Sequence, residues 1–457
     1  MKKSFGNRAV WVLTGVAAAT TRTNPRRRYW VSAAGALVVL AAALVGWPWL
    51  RVSHFVGSAR QALDRGDLAA ALSALQSAEH SPFDRAQVQY LLAVANRRAE
   101  RLDRFERHLD RARELGWPAE DLERQEWLAV AQSGNVAAVQ DRLMQAVDRG
   151  APDEVAAEIY EAVARGHLAS HRFRDAWICL DIWLQWRPDA PQARMMRAVL
   201  WEQIAVLSSA TEDYRAAVQQ LPKDPQAQIR LAQVLARQGE LEEAETHFQA
   251  ALGVAPDDPE ALLGIAQCAQ RRGDPAEARR CLETALALEL SDRQRAQTLA
   301  ELGQCLLSEG KVREAVDALA RAVALDPAEG PIHYALATAL ARAGQAEHSR
   351  RHFDLAQQIL TKNNRMVEIR RRLVESRDDA DLRCEAGLIY IQLGMKKEGA
   401  DWLKTALRCN PRHRKAHQML AEYYAELGDR QSAGYHRLLA AQSPESKPGP
   451  AIRPSRP

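Results

Sequence analysis

The sequence predicts an all-α fold: a solenoid of about eleven helix-turn-helix units behind one amino-terminal transmembrane helix. Three observations lead there. Glycines recur at a fixed interval, small residues hold constant places around them, and one uninterrupted apolar stretch lies close to the amino terminus. Gly239 to Gly273, Gly310 to Gly344 and Gly394 to Gly428 are each 34 residues apart, and Gly66 and Gly134 keep similar company. Seven residues before the last six glycines stands Ala232, Ala266, Gly303, Ala337, Gly387 or Ala421; twelve after stands Ala251, Ala285, Ala322, Ala356, Ala406 or Ala440.

The amino terminus is read first. Residues 1–29 are basic and expected in the cytoplasm, and Trp30 to Leu50 is an apolar run whose length, at about 1.5 Å per residue, reaches roughly 30 Å, the thickness of a hydrocarbon core. Trp30, Trp47 and Trp49 stand at its ends, where amphipathic rings settle, with Arg26, Arg27 and Arg28 before it. Positive charge is retained inside, so the reading is a single-pass protein of a bacterial inner membrane with its body outside the cytoplasm. Ala9 to Ala19 has the look of a signal-peptide core, but a single uncleaved anchor is the simpler expectation.

Beyond the anchor, residues 52–156 read as divergent units, 157–361 as the main array, 362–379 as a long or extra helix, 380–440 as two further units, and 441–457 as a disordered proline-rich tail. Within a unit, a first helix such as Pro225 to Gln238 ends at a glycine able to take positive φ, and a second, Glu240 to Val254, ends near Pro256, which cannot continue it. Ala232 and Ala244 let the helices approach, while Leu231, Leu235 and Phe248 fill the space around them. One pair cannot bury its apolar face alone, so units must stack. The phase slips by three residues near Arg293 to Arg295 and by sixteen between Thr361 and Asp379, where Met366, Ile369, Leu373 and Val374 keep helical spacing beside Arg370, Arg371 and Arg372.

These small, aromatic, alanine and proline positions resemble the tetratricopeptide repeat family, most specifically over about Pro191 to Glu329 and Ala380 to Ala440. The resemblance implies a right-handed α-solenoid whose first helices line a concave groove that binds partner proteins or peptides. Carried onto this sequence, the groove positions are Gln226, Ile229, Gln233, Arg237, Glu260, Leu263, Gln267, Arg271, Tyr334, Thr338 and Arg342. Arg98, Arg237, Arg271 and Arg342 share one register, a candidate ladder for acidic or extended peptide; Arg370, Arg371 and Arg372 are a candidate contact for an acidic partner. The lysine and asparagine clamp by which some members grip chaperone tails is not reproduced.

Several functions are disfavoured. Eight of the 62 basic residues and no acid fall within the first 51 positions, so the body is slightly acidic and carries no bulk signal for nucleic acid. The six cysteines include no Cys-x-x-Cys and read as buried free thiols. No nucleophile elbow or phosphate-binding glycine loop occurs, so neither an enzyme nor a bound cofactor is expected. The pairs His167/His171, His348/His352 and His413/His417 have metal-binding spacing. However, His108, His247, Cys281, His352 and His436 all stand eight residues after a turn, so a structural role is expected and no metal. The expected function is a membrane-anchored interaction scaffold; the alternatives are an assembly factor for an exported cofactor protein, of the cytochrome-maturation type, and a non-catalytic subunit of an envelope enzyme.

Overall fold

The computed structural model describes residues 50–79 and 85–443, which form helices in succession with no strand among them. The expected span at Trp30 to Leu50 and the proline-rich tail lie outside these residues, apart from a few at their margins. Among the described residues no helix is long and apolar enough to cross a membrane.

The helices fall into eleven successive pairs. The first five are 50–65 with Leu68–Glu79 (α1, α2), Arg85–Arg98 with Leu102–Glu114 (α3, α4), Ala119–Gln132 with Gln140–Asp148 (α5, α6), Asp153–Ala169 with Phe173–Trp186 (α7, α8), and Pro191–Gln203 with Leu207–Gln220 (α9, α10). Then come Pro225–Gln238 with Leu241–Val254 (α11, α12), Pro259–Arg272 with Pro275–Leu286 (α13, α14), and Asp292–Ser308 with Val312–Leu325 (α15, α16). The last three are Gly330–Arg342 with Ala346–Glu375 (α17, α18), Ala380–Gln392 with Lys396–Cys409 (α19, α20), and Arg414–Glu426 with Arg430–Gln442 (α21, α22). Residues 362–375 are therefore no separate helix: they prolong α18 to 30 residues.

The chain divides into two compact units after Leu122. In the first, Val52, Val56, Leu63, Leu75, Leu91 and Leu92 form the core. In the second, each pair repeats one scheme, clearest at α11 and α12. Asp224 accepts hydrogen bonds from the Gln226 and Ala227 N–H groups, satisfying donors that the first turn leaves orphaned, and Pro225 starts the helix where no N–H is needed. Gly239 closes it at φ 94°, and the Glu240 N–H returns to the Leu235 carbonyl at 3.0 Å. Ala232, Ala244 and Ala251 are fully buried around Phe248. A Cβ on Gly264, in the next unit, would meet the Phe248 ring at 2.2 Å, so that glycine sets how closely the units stack.

Eleven turns join the pairs, and at three of them the positive-φ residue is not glycine: Glu100 at 58°, His171 at 55° and Ala205 at 59°. Two of these three lie at a contact that the repeat alone does not produce. The second half of α18, with α19 and α20, packs against α7 to α9, some 200 residues away in sequence. Met366, Ile369, Leu373, Leu382, Ile389 and Trp402 bury against Phe173 and Leu200. The His171 ring stacks on Trp402 with centroids 3.9 Å apart. Arg383, itself buried, donates to the His171 carbonyl at 2.9 Å, Arg371 donates to the Ile204 carbonyl at 3.2 Å, and Arg174 donates to the Glu375 carbonyl at 2.8 Å. Arg377 pairs with Asp175 at 3.0 Å. This clasp folds the second unit back on itself and holds α18 at its far end.

Candidate partner-binding cleft

One repeat position isolates the site. Nine residues after the turn stands a large side chain that fills the space between units: Leu180, Tyr214, Phe248, Leu282, Leu319 and Leu403 are all at most 1% exposed. The equivalent in the ninth pair, Phe353, is 43% exposed. The sixteen-residue extension explains the difference. It moves the next unit along α18, so that α19 covers only the second half, through Met366, Ile369 and Leu373 and the bidentate Arg365–Glu385 pair at 2.6 and 2.7 Å. The first half of α18 is left without the helix that would otherwise lie on it.

The result is a cleft of about 760 Å³ between α15, α17 and α18. Tyr334 and Phe353 meet edge to face with centroids 4.9 Å apart, and Tyr334 and Leu360 are more than half exposed. Ala335, Ala356 and Leu307 form the apolar floor, and Gln304, Gln357 and Asn363 lie around it. Burial and the nearby Asp326 raise the pKa of Glu329 on the rim, against the weaker pull of Arg293, 3.8 Å away.

Of the groove residues expected from the sequence, Tyr334, Thr338 and Arg342 line this cleft together. The others are distributed differently. Ile229 is completely buried among Leu231, Val234 and Phe248 and is corrected from groove to core: its side chain lies on the stacking face of α11. Leu263 packs half-buried against a neighbouring core. Gln233 reaches Glu260 at 3.4 Å, and Gln267 donates to Glu301 at 2.8 Å, where burial raises the carboxyl pKa. Gln226 is exposed at the start of α11.

The arginine register has a structural use. Arg98 donates to the Leu63 carbonyl, Arg271 to Ala236 and Arg342 to Leu307, each 35 residues back at the carboxyl end of the previous first helix. Each of these carbonyls already accepts the N–H of the turn glycine, Gly66, Gly239 or Gly310, and the cation adds a second bond and complements the negative end of the helix dipole. Arg237 instead pairs with Glu202 at 2.8 Å. Arg370 donates to the Tyr390 hydroxyl and Arg371 serves the clasp, while Arg372 lies half-buried beside them.

The recurring histidines tie each helix pair together. The His333 Nε2–H donates to the Pro327 carbonyl at 3.0 Å, which leaves its Nδ1 to accept from His352 Nδ1–H at 2.9 Å. His417, Pro411 and His436 repeat the arrangement, and Gln228, Pro222 and His247 reproduce it with an amide in place of one ring. Burial lowers the pKa of His352 and His436, the rings that donate in these pairs. Among the described residues no cluster of His, Cys, Asp or Glu is arranged to hold a metal ion, and all six cysteines are free.

Phe353, Leu360, Gln357 and Asn363 were not anticipated from the sequence. Second helices ordinarily have these faces covered, and the signal that locates them is the sixteen-residue slip itself.

Comparison with known proteins gives tetratricopeptide repeat models matching residues 224–288, 257–328 and 301–364. No curated protein matches the sequence. Solved structures similar to the chain include YrrB, described as a TPR protein with an unusual peptide-binding site (21% identity, 45% of this chain and 96% of that one, TM-score 0.27). Human IFIT1 is another (16% identity, 83% of this chain and 94% of that one, TM-score 0.39), as is Pseudomonas aeruginosa PilF (17% identity, 52% and 99%, TM-score 0.33). With family models over residues 224–364 and the same helix pairing on either side, the chain is a tetratricopeptide repeat protein.

Proposed function

We propose that the protein is a membrane-anchored scaffold that receives a partner protein in the cleft between α15, α17 and α18. The carrying observation is the exposure of Phe353 at a position that is buried in the preceding and following units. Leaving an aromatic ring, an adjacent tyrosine and a leucine in water costs the hydrophobic stabilisation that each would gain on burial, roughly 1.5–3 kcal/mol for a full side chain. A partner that covers them recovers it. The apolar run Trp30 to Leu50, with seven basic residues before it, supports an anchor in a bacterial inner membrane and an array outside the cytoplasm.

The test is a photo-crosslinking amino acid placed at Tyr334 in the full-length protein in intact membranes, with Gln249 on an exposed second-helix face as the control. A discrete adduct at Tyr334 and none at Gln249 is the expected result. Equal labelling at both positions, or none at Tyr334, overturns the cleft assignment. An alkaline phosphatase fusion after Pro457 should be active in intact cells, and an inactive exported reporter overturns the topology.

A further inference from the structure

We infer that the cleft recognises an extended segment of its partner carrying apolar side chains and a nearby lysine or arginine, rather than an acidic segment or a preformed helix. The inference rests on the scaffold reading above and names the chemistry of the occupant. Three features of the lining carry it.

The first is the charge that remains available. Only Glu329 and Arg342 among the lining residues are charged. Arg342 is committed to the Leu307 carbonyl at 2.9 Å, at the end of α15. Glu329 precedes α17 without using its side chain as a cap, and its nearest cation, Arg293, stands 3.8 Å away on a side chain that is 73% exposed. A loosely held solvent arginine is readily displaced, because such a surface pair is worth about 0–1 kcal/mol. A lysine or arginine entering the cleft meets a carboxylate that burial has made poorly satisfied; an acidic side chain meets that same carboxylate as a repulsion.

The second feature is the set of carboxamides. The Gln304, Gln357 and Asn363 side chains have no partner among the described residues, and they ring the apolar floor on two different helices. Each offers two donors and an acceptor. A helix satisfies its own backbone groups and has little use for them, whereas an extended segment brings unpaired N–H and C=O groups that need such partners.

The third is the apolar content. Tyr334, Phe353 and Leu360 are all exposed and line one continuous cleft whose volume suits a few side chains of a segment, not a folded domain.

The experiment is selection of displayed random heptapeptides on the full-length protein in nanodiscs, followed by fluorescence anisotropy with the best selected peptide. The expected consensus holds a Lys or Arg within a few residues of Leu, Phe or Tyr and tolerates proline. For that peptide, Glu329→Gln raises Kd about tenfold, equivalent to about 1.4 kcal/mol, and removes the preference for Lys over Leu at the basic position. The double change Tyr334→Ser with Phe353→Ser abolishes binding, whereas Gln249→Ala, outside the cleft, leaves it unchanged. Every variant is checked for an unaltered melting profile, and these side chains are surface-exposed or rim groups, so folding is retained. An acidic or proline-intolerant consensus that still depends on Phe353 overturns the inference while leaving the scaffold reading in place. A basic consensus indifferent to Phe353→Ser, or no selected peptide at all, overturns both.

Discussion

Residues 225–344 and the clasp are held together by different means. In the regular stretch, units are secured by their neighbours: a glycine turn in each, a small residue under a large one, an aspartate cap at α11 and α13, and an arginine reaching 35 residues back from α13 and α17. In the clasp, Glu375, Arg371 and Arg383 reach partners 167 to 212 residues away, the turn residues at His171 and Ala205 are not glycine, and charged groups are buried. Nearest-neighbour contacts make an array that tolerates local damage, whereas a closing contact depends on a few large side chains.

The strongest way to break that difference is Trp402→Ala. It deletes a 1% exposed indole that stacks on His171 and packs near Phe173, and loss of such a core side chain costs about 3–5 kcal/mol. Hydrogen exchange should quicken in residues 168–205, far away in sequence, while residues 225–344 keep their protection. Uniform quickening across both regions removes the distinction.

Acid should act next, and again on the clasp first. His171 is half-buried beside Arg383, Arg370 and Arg408, with its pKa lowered to about 3, mainly by burial and then by those arginines. In the unfolded chain it titrates near 6.5. The unfolded state therefore binds the extra proton between these values, so stability is full above about pH 6.5, falls as pH drops towards about 3, and is constant below. His171→Phe keeps a stacking ring and should flatten that slope in urea midpoints taken at pH 7, 5 and 4. His167, lowered to about 4, still titrates in both proteins, so their difference reports His171.

The smallest expected effect belongs to the regular stretch. Arg271→Ala removes one hydrogen bond to the Ala236 carbonyl from an exposed side chain, worth about 0.5–1.5 kcal/mol. A small shift of the urea midpoint with an unchanged slope is expected; a loss as large as that of Trp402→Ala would erase the contrast.

Much of the array was legible because its physics is local. Gly239, Ala232 and Pro225 each meet a demand set within one helix pair, and Phe248 one set by the next pair along; such demands repeat in the sequence. Glu100, His171 and Ala205 occupy the same turns without the residue that announces them. The clasp was not legible, because nothing about Trp402 or Arg383 alone says that its partner lies two hundred positions earlier. The cleft was half legible: Tyr334, Thr338 and Arg342 follow from register, but Phe353 and Leu360 become a surface only when the following unit is displaced. The arginine register was visible and its use was not, since Arg271 and Arg342 cap helices rather than wait for ligand.

The clasp also sets an order of events in folding. Helix pairs joined by two- or three-residue turns can form and dock on their neighbours quickly, because the loops that must close are short. Closing Arg383 onto His171 ties a loop of about two hundred residues, whose entropy the intervening units first reduce by stacking. Formation of the His171–Trp402 stack should thus come last, and its indole fluorescence would time the completion of the second unit.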